Sequence, residues 1–450
     1  MSTEVKLTPA FLEYLEECLV QSRMEEVLQN IEDMHAADIA EVIDRLDTEL
    51  AGKLLRALPN ERSADVIIEL DEDVRQALID EYSSEEIARD IISELDSDDA
   101  ADIISELSDE RIKEVLDIIP DDQQAREITE LLTHEEDTAG ALMAKELVKV
   151  NKNWKVMRCV REMRRQAEEI EHVHSIYVVD DDEILLGTLS LKKLLTTSTK
   201  TPVAEVFNPT VVSVTAETDA EEVARIMRKY DLVVIPVTDE AGKLLGRITI
   251  DDVVDVIAEE AGRDYQMASG LTLDVESRDN VFTLTKARLP WIFVGLVGGI
   301  FSSRVIDYFD LSQFPEMGPF IPLIAATGGN VGVQSAALVV QSLASEGGFK
   351  DSVMSKLGKD FGVGLLTGAV CSTVIFLANY MLGKSYNLSI TVSAALFSVI
   401  IFAALFGTIV PLVLHRLKVD PAVAVGPFIT TTNDVIGMFI YFTVGMMIMM

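Results

Sequence analysis

The chain has 450 residues, 75 Asp+Glu against 38 Lys+Arg, and a formal net charge of −37. That length suits about three domains, and the acid excess excludes a nucleic-acid-binding protein, which needs a basic footprint. The excess is confined: residues 289–450 carry eight acids and seven bases, which leaves −36 on the first 288 residues.

Residues 1–135 read as an all-α, acidic helical-repeat domain. "AADIAEVIDRL" (36–46), "SADVIIEL" (63–70), "ARDIISEL" (88–95) and "AADIISEL" (100–107) repeat one apolar pattern at helical spacing. Units this short cannot bury their own stripes, so a stacked, superhelical array is expected. "LDSDDAAD" gathers Asp96, Asp98, Asp99 and Asp102 around one helix start, where acids favour the macrodipole.

From about residue 138 the period changes. "HSIYVVDDDEILLGTLSLKKL" (174–194) and "LVVIPVTDEAGKLLGRITIDDV" (232–253) are two copies of one unit: an apolar strand, an acidic turn, then Gly, two residues and a hydroxyl. Thr218 and Glu221 read as a capping box for the helix before the second copy. The repeat resembles a pair of CBS (cystathionine-β-synthase-type) domains, at 136–200 and 201–262. That likeness implies a possible ATP site, with Thr249 and Asp252 as hydroxyl and ribose-binding acid and Tyr177 as the adenine-stacking position. In the first copy Lys193 stands where that acid would be.

A connector, 263–288, leads to five apolar segments, at about 289–309, 317–344, 361–383, 389–414 and 421–449. Each is long enough to span a bilayer, which takes about 20 apolar residues. Lys286, Arg288, Lys350, Lys356, Lys359, Arg416 and Lys418 fall on one side; Arg304 and Lys384 fall on the other. This asymmetry predicts a multi-pass protein of the cell (inner) membrane with its N-terminus cytoplasmic and its C-terminus outside. Cys18, Cys159 and Cys371 lie far apart and fit no disulfide framework, which agrees with a cytosolic soluble part. No signal peptide is read at the N-terminus.

Two spans carry polar groups. In "GPFIPLIAATGGNVGVQSAALVVQSLA" (318–344), Pro322, Gly328, Gly329 and Gly332 are expected to interrupt the helix around Asn330 and Gln334. Irregular backbone at that depth lines a wet cavity or lies buried in protein, and the glycines by themselves are equally compatible with close helix packing. "GPFITTTNDVIG" (426–437) places Asp434 about midway along the fifth span, with Thr430, Thr431, Thr432 and Asn433 beside it and no base nearer than Lys418. A lone Asp at a helix centre costs about 2.5–3.5 kcal/mol on insertion scales, so it must be protonated, hydrated or ion-bound. A hydrated divalent cation, which prefers oxygen ligands, fits.

Taken together, the acidic helical domain, the CBS pair, the connector, "GGNVGVQS" (328–335) and "NDVIG" (433–437) resemble the MgtE family of magnesium channels over essentially the whole chain. The resemblance implies a homodimer in the lipid bilayer with Mg2+ as substrate and regulator. Asp434 would be the pore-centre acid, with Asn330, Gln334, Thr431 and Asn433 lining the pore and 263–288 as a plug helix. It also implies regulatory Mg2+ ligands at Asp98, Asp102, Glu221, Asp231, Asp252, Asp255, Glu260, Asp264 and Asp420. Arg263 departs from that acidic pattern. The competing expectations are a proton- or sodium-coupled carrier using Asp434, and a membrane-tethered nucleotide sensor. None of the five histidines has ligand or triad spacing, so an enzyme is not expected.

Overall fold

A computed structural model describes residues 7–167, 170, 172–272, 275, 280–310, 312, 315–344 and 353–449. The chain divides into two compact units, Met1–Val256 and Ile257–Met450.

The first unit opens with short helices: α1 (Pro9–Val20), α2 (Met24–Ile31), α3 (Ala36–Ile43), α4 (Thr48–Leu55), α5 (Asn60–Ile68), α6 (Glu72–Ile79), α7 (Ser84–Glu86), α8 (Ser97–Ser105), α9 (Asp109–Ile118) and α10 (Asp122–Leu131). After α7 the chain continues as a π turn and a 3-10 turn to Glu94. From α3 onward the helices begin at 36, 48, 60, 72, 84, 97, 109 and 122, a period of 12 or 13 residues. Each helix packs on the one two places away, α3 on α5, α4 on α6, α7 on α9 and α8 on α10. This is the stacked array expected from the repeat.

Helices of two turns leave most of their end carbonyls without intrahelical partners, and a recurring side chain supplies them. Arg62 donates to the carbonyls of Ile31 and Met34 at 2.6 Å each. Arg111 donates to those of Ile79 (3.2 Å) and Tyr82 (2.6 Å). Gln124 donates to those of Ile92 (2.9 Å) and Leu95 (3.1 Å). In each case the donor is the third residue of its helix, and the acceptors end the helix three places earlier.

Two α/β modules follow. The first runs β1 (Val148–Asn151), α11 (Val156–Gln166), β2 (Ile176–Val179), β3 (Leu185–Leu189), α12 (Leu191–Thr196). The second runs β4 (Val214–Thr215), α13 (Ala220–Tyr230), β5 (Val234–Thr238), β6 (Leu244–Thr249), α14 (Ile250–Ala268). Each sheet has three strands, a parallel pair followed by an antiparallel one, with Val148 opposite Ile176 and Val234 opposite Thr249. The two sheets meet where Leu185 N donates to Gly242 O and Leu244 N to Glu183 O. Glu183 is held there between Lys149 (2.6 Å) and Lys243 (3.0 Å). The helical array and the second module share one apolar core, from Leu15 to Val253; the first module has its own, around Val148, Cys159, Ile176 and Leu194.

One capping expectation is corrected. The N-cap of α13 is Asp219, whose carboxylate accepts from Glu221 N, so Glu221 sits one turn position too early to close a box with Thr218.

The second unit holds five helices long and apolar enough to cross a membrane: α15 (Val281–Tyr308), α16 (Ile321–Ala344), α17 (Val353–Met381), α18 (Tyr386–Arg416) and α19 (Pro427–Met449). The separate plug helix at 263–288 is not found among the described residues. Residues 263–268 complete α14, and from Val281 the chain is already in the first spanning helix; residues 273, 274 and 276–279 lie outside the described residues. The expected break in the second span is also absent, since α16 runs unbroken through Gly328, Gly329 and Gly332. The fifth span begins later than expected, at Pro427, after a 3-10 turn at Pro421–Ala424.

Candidate functional site

In the first unit the acids converge at the start of α8. Carboxylate oxygens of Asp96, Asp98 and Glu146 lie within 4.8 Å of one another, the single such group of three or more among the described residues. Asp96 occupies the N-cap but makes no cap hydrogen bond. The cap comes from Glu146, which accepts from Ser97 N at 3.1 Å and Ser97 Oγ at 2.9 Å. Capping therefore accounts for Glu146 and leaves Asp96 and Asp98 without that role. Asp252, at the start of α14, closes the group from the second α/β module, and its charge acts on both Asp98 and Asp99.

The electrostatic cost is visible in the titration of these groups. Burial, then Asp99, Asp252, Glu146 and Asp96, holds Asp98 well above the usual carboxylate range. Burial, then Asp252, Asp102, Asp96 and Asp251, pushes Asp99 up to about 7. Burial also raises Glu146 and Asp252, although hydrogen bonds from Ser97 and Thr249 oppose the shift. The nearby cation is Arg247, 3.4 Å from Asp96 through Nη2, with Nε donating to Glu146 O at 2.6 Å. Crowded, half-buried carboxylates with one guanidinium form a hard, oxygen-rich donor set of the kind that takes Mg2+ or Ca2+.

Asp98, Asp102 and Asp252 are thus brought together as expected. Asp96, Asp99, Glu146 and Arg247 complete the group. Glu146 could not be found from spacing, because it meets Ser97 from 49 positions away. The other proposed regulatory acids stand apart from it. Glu221 and Asp231 are exposed at the two ends of α13. Asp255 lies exposed on α14, where burial and Asp251 raise its pKa. Glu260 is paired with Arg263 at 3.1 Å, so the departing Arg263 neutralises part of that stretch. Asp264 follows on α14. Asp420 caps the 3-10 turn before α19, accepting from Ala422 N at 2.7 Å.

The nucleotide residues are arranged differently from the expectation. Thr249 donates through N (3.0 Å) and Oγ1 (2.7 Å) to Asp252, so hydroxyl and acid are bonded to each other. Tyr177 is 1% exposed, packed with Val179 and Leu244, and its hydroxyl has no hydrogen-bond partner. Burial raises that hydroxyl's pKa. The ring is covered by the junction of the two sheets and is not an open stacking surface.

In the second unit Asp434 lies seven residues into α19, nearer its start than the middle. Asn433 is 2% exposed, and its Nδ2 donates to Gly328 O at 3.4 Å. A Cβ at Gly332 would lie 1.9 Å from that Nδ2, and one at Gly298 would lie 1.7 Å from Thr431 Cγ2. Glycines of α15 and α16 are therefore notches that receive Thr431 and Asn433. Close packing through small residues, rather than helix interruption, explains them. Thr431 also borders an apolar cavity of about 630 Å3 with Phe293, Val297, Phe301 and Phe428. Neither residue lines an aqueous path within one chain.

Asn330 and Gln334 are exposed as expected. They belong to a longer row: the exposed positions of α16 are Pro322, Ala326, Asn330, Gln334, Ala337, Leu338 and Gln341. From 322 to 341 the helix rises about 28 Å, close to a hydrocarbon thickness of about 30 Å. A lipid-facing helix exposes large apolar side chains, as α15 does with Ile292, Phe293, Leu296, Ile300 and Phe301. The exposed face of α16 is mainly small side chains and amides, so it calls for water or a partner.

Family models match the chain as MgtE, a divalent cation transporter (residues 321–444), the MgtE intracellular N domain (34–137) and CBS domains (139–199 and 203–259). Five spanning helices with an amide face, an intramembrane carboxylate and an oxygen-rich regulatory unit define a multi-pass membrane transporter for divalent cations. The chain is 36% identical over 333 residues to the magnesium transporter MgtE of Thermus thermophilus, covering 73% of this chain and 74% of that protein. To the magnesium transporter MgtE of Bacillus subtilis it is 32% identical over 324 residues, covering 72% of each. Its fold is similar to the crystal structure of the cytosolic domain of the Mg2+ channel MgtE in complex with ATP, with 35% identity, a TM-score of 0.51 and coverage of 54% of this chain and 99% of that one. The chain belongs to the MgtE family.

Proposed function

We propose that this protein is a homodimeric, magnesium-selective channel for Mg2+ uptake, closed by cytosolic Mg2+ bound at the acidic faces of its first unit. The observation that carries the reading is the amide row on α16. Two copies placing that row against each other would enclose a wet path the height of the bilayer, and amide oxygens accept hydrogen bonds from the water shell that Mg2+ keeps. Asp434 supplies the charge, one carboxylate from each copy. The divalent relatives named as magnesium transporters support the choice of ion.

Regulation follows from the α8 cluster. Without an ion, Asp98, Asp99, Glu146 and Asp252 repel one another. A divalent cation removes that repulsion and adds ligand bonds, so it stabilises the state in which α8 and α14 are close. If that state holds the pore shut, imported Mg2+ closes its own route. The N-terminus is placed in the cytoplasm and the C-terminus outside. ATP binding is supported by the ATP-bound relative; in this chain it requires the Tyr177 ring to be uncovered.

The test is Mg2+ flux into proteoliposomes under a membrane potential, with no proton or sodium gradient. Flux should persist in the native protein and be lost in Asp434→Asn and in the double variant Asn330→Leu/Gln334→Leu. Flux that needs a proton or sodium gradient assigns Asp434 to a coupled carrier and overturns the channel.

A further inference from the structure

In a chain of net charge −37, one surface is basic. On α11, Lys155, Arg158, Arg161 and Arg164 are exposed at spacings of three, which places them on one side of the helix. Beside it, α12 exposes Lys192 and Lys193. The two helices lie on one core, to which α11 gives Cys159 and α12 gives Leu194. The start of α11 is bonded to the segment after α12, Met157 N to Thr199 O and Val156 N to Thr201 O, both at 3.0 Å. The bases therefore share one face of the first α/β module. Three apolar side chains stand out from the same helices: Met157 (55% exposed), Leu191 (42%) and Leu195 (66%). The acid on α11, Glu162, is bonded to Arg165 and Gln166.

We propose that the α11–α12 face docks on an anionic bilayer surface. Bases that flank protruding aliphatic side chains match a lipid interface, where the charges meet headgroups and the aliphatic groups enter the acyl boundary. An acidic protein partner would satisfy the bases and leave Met157, Leu191 and Leu195 unexplained. Packing this face on itself in a second copy would oppose like charges. The bilayer is also always near, because the same chain crosses it five times, which raises the effective concentration of the surface. Docking would restrain the first α/β module and so bias whichever arrangement of the cytosolic unit allows the contact.

The chain contains two tryptophans, Trp154 and Trp291, and Trp154 lies at this face, with the Arg158 guanidinium 4.1 Å from its ring centroid. Full-length Trp291→Phe protein therefore carries a single reporter. Reconstituted with brominated phosphatidylglycerol, Trp154 should lose most of its emission. With brominated phosphatidylcholine it should not. Quenching should vanish at high salt, because the attraction is screened within a Debye length of about 3 Å at 1 M. It should also vanish in Arg161→Gln/Arg164→Gln/Lys192→Gln/Lys193→Gln, which leaves the Arg158–Trp154 stack intact and whose folding is checked by an unchanged melting temperature. Quenching equal in both lipids, or absent from both, overturns the proposal. So does a Trp154 already shielded from aqueous acrylamide in detergent without lipid, which would give the face to a second copy.

Discussion

Replacing Asp99 by Asn should stabilise the magnesium-free protein above neutral pH. Its carboxyl is pushed from an ordinary 3.8 up to about 7. One unit is worth about 1.36 kcal/mol, so ionising Asp99 in the folded state costs roughly 4 kcal/mol at most. The direction follows from the raised value. The fold carries no penalty below about pH 4, loses stability as pH rises through about 7, and bears the full penalty above it. The amide removes the charge but keeps a buried polar group, so about 2 kcal/mol should be recovered. For a unit of this size that is a rise of roughly 4–8 °C in melting temperature. Scanning calorimetry of the full-length protein in detergent, with chelator, would measure it at about pH 8 and about pH 5, with the difference between variant and native confined to the higher pH. Adding Mg2+ should raise the native melting temperature, by an amount equivalent to about 2.7 kcal/mol at a hundredfold excess over Kd, and raise the variant's by much less. A variant less stable than native at high pH without Mg2+ would refute the reasoning, because it would make the Asp99 carboxylate a net stabilising partner of its neighbours.

Two further outcomes test the packing. Arg111→Ala removes both hydrogen bonds to the end of α6 and the 3.0 Å pair with Asp80; it should cost about 1.5–3 kcal/mol, read as a lower denaturant midpoint at unchanged slope, and an unmoved midpoint would discard the stitch. Gly407→Ala drives a Cβ to 2.3 Å from the Gly332 carbonyl oxygen, whereas Gly358→Ala on α17 meets nothing within 4 Å; the first should lose about 1–3 kcal/mol or more by overpacking and the second should keep native yield and melting behaviour.

Much of the architecture was legible because it is written locally. The apolar stripe of each short helix recurs within a dozen residues, and a spanning helix announces itself by the length of its apolar run. The Gly-rich stretch of α16 misled for a physical reason. Glycine weakens a helix in water, but between packed spanning helices it is a notch, and Asn433 fills the one at Gly332. Asp98, Asp102 and Asp252 could be named because acids clustered in the sequence. Glu146 could not, since its role is set by a contact across 49 positions. The burial of Tyr177 depends on how two separate sheets meet, and no periodicity within either module encodes that.

The two-step packing of the helical array sets a parity. A helix in this array touches those two places away and is stitched to the one three places back, so consecutive helices belong to alternate rows. A chain lengthened by a full pair, about two dozen residues, would keep every row in step. A chain lengthened by a single helix would exchange the rows and turn the acidic start of α8 away from Asp252. The spacing between the amino terminus and the cation cluster is therefore free to grow only in even steps.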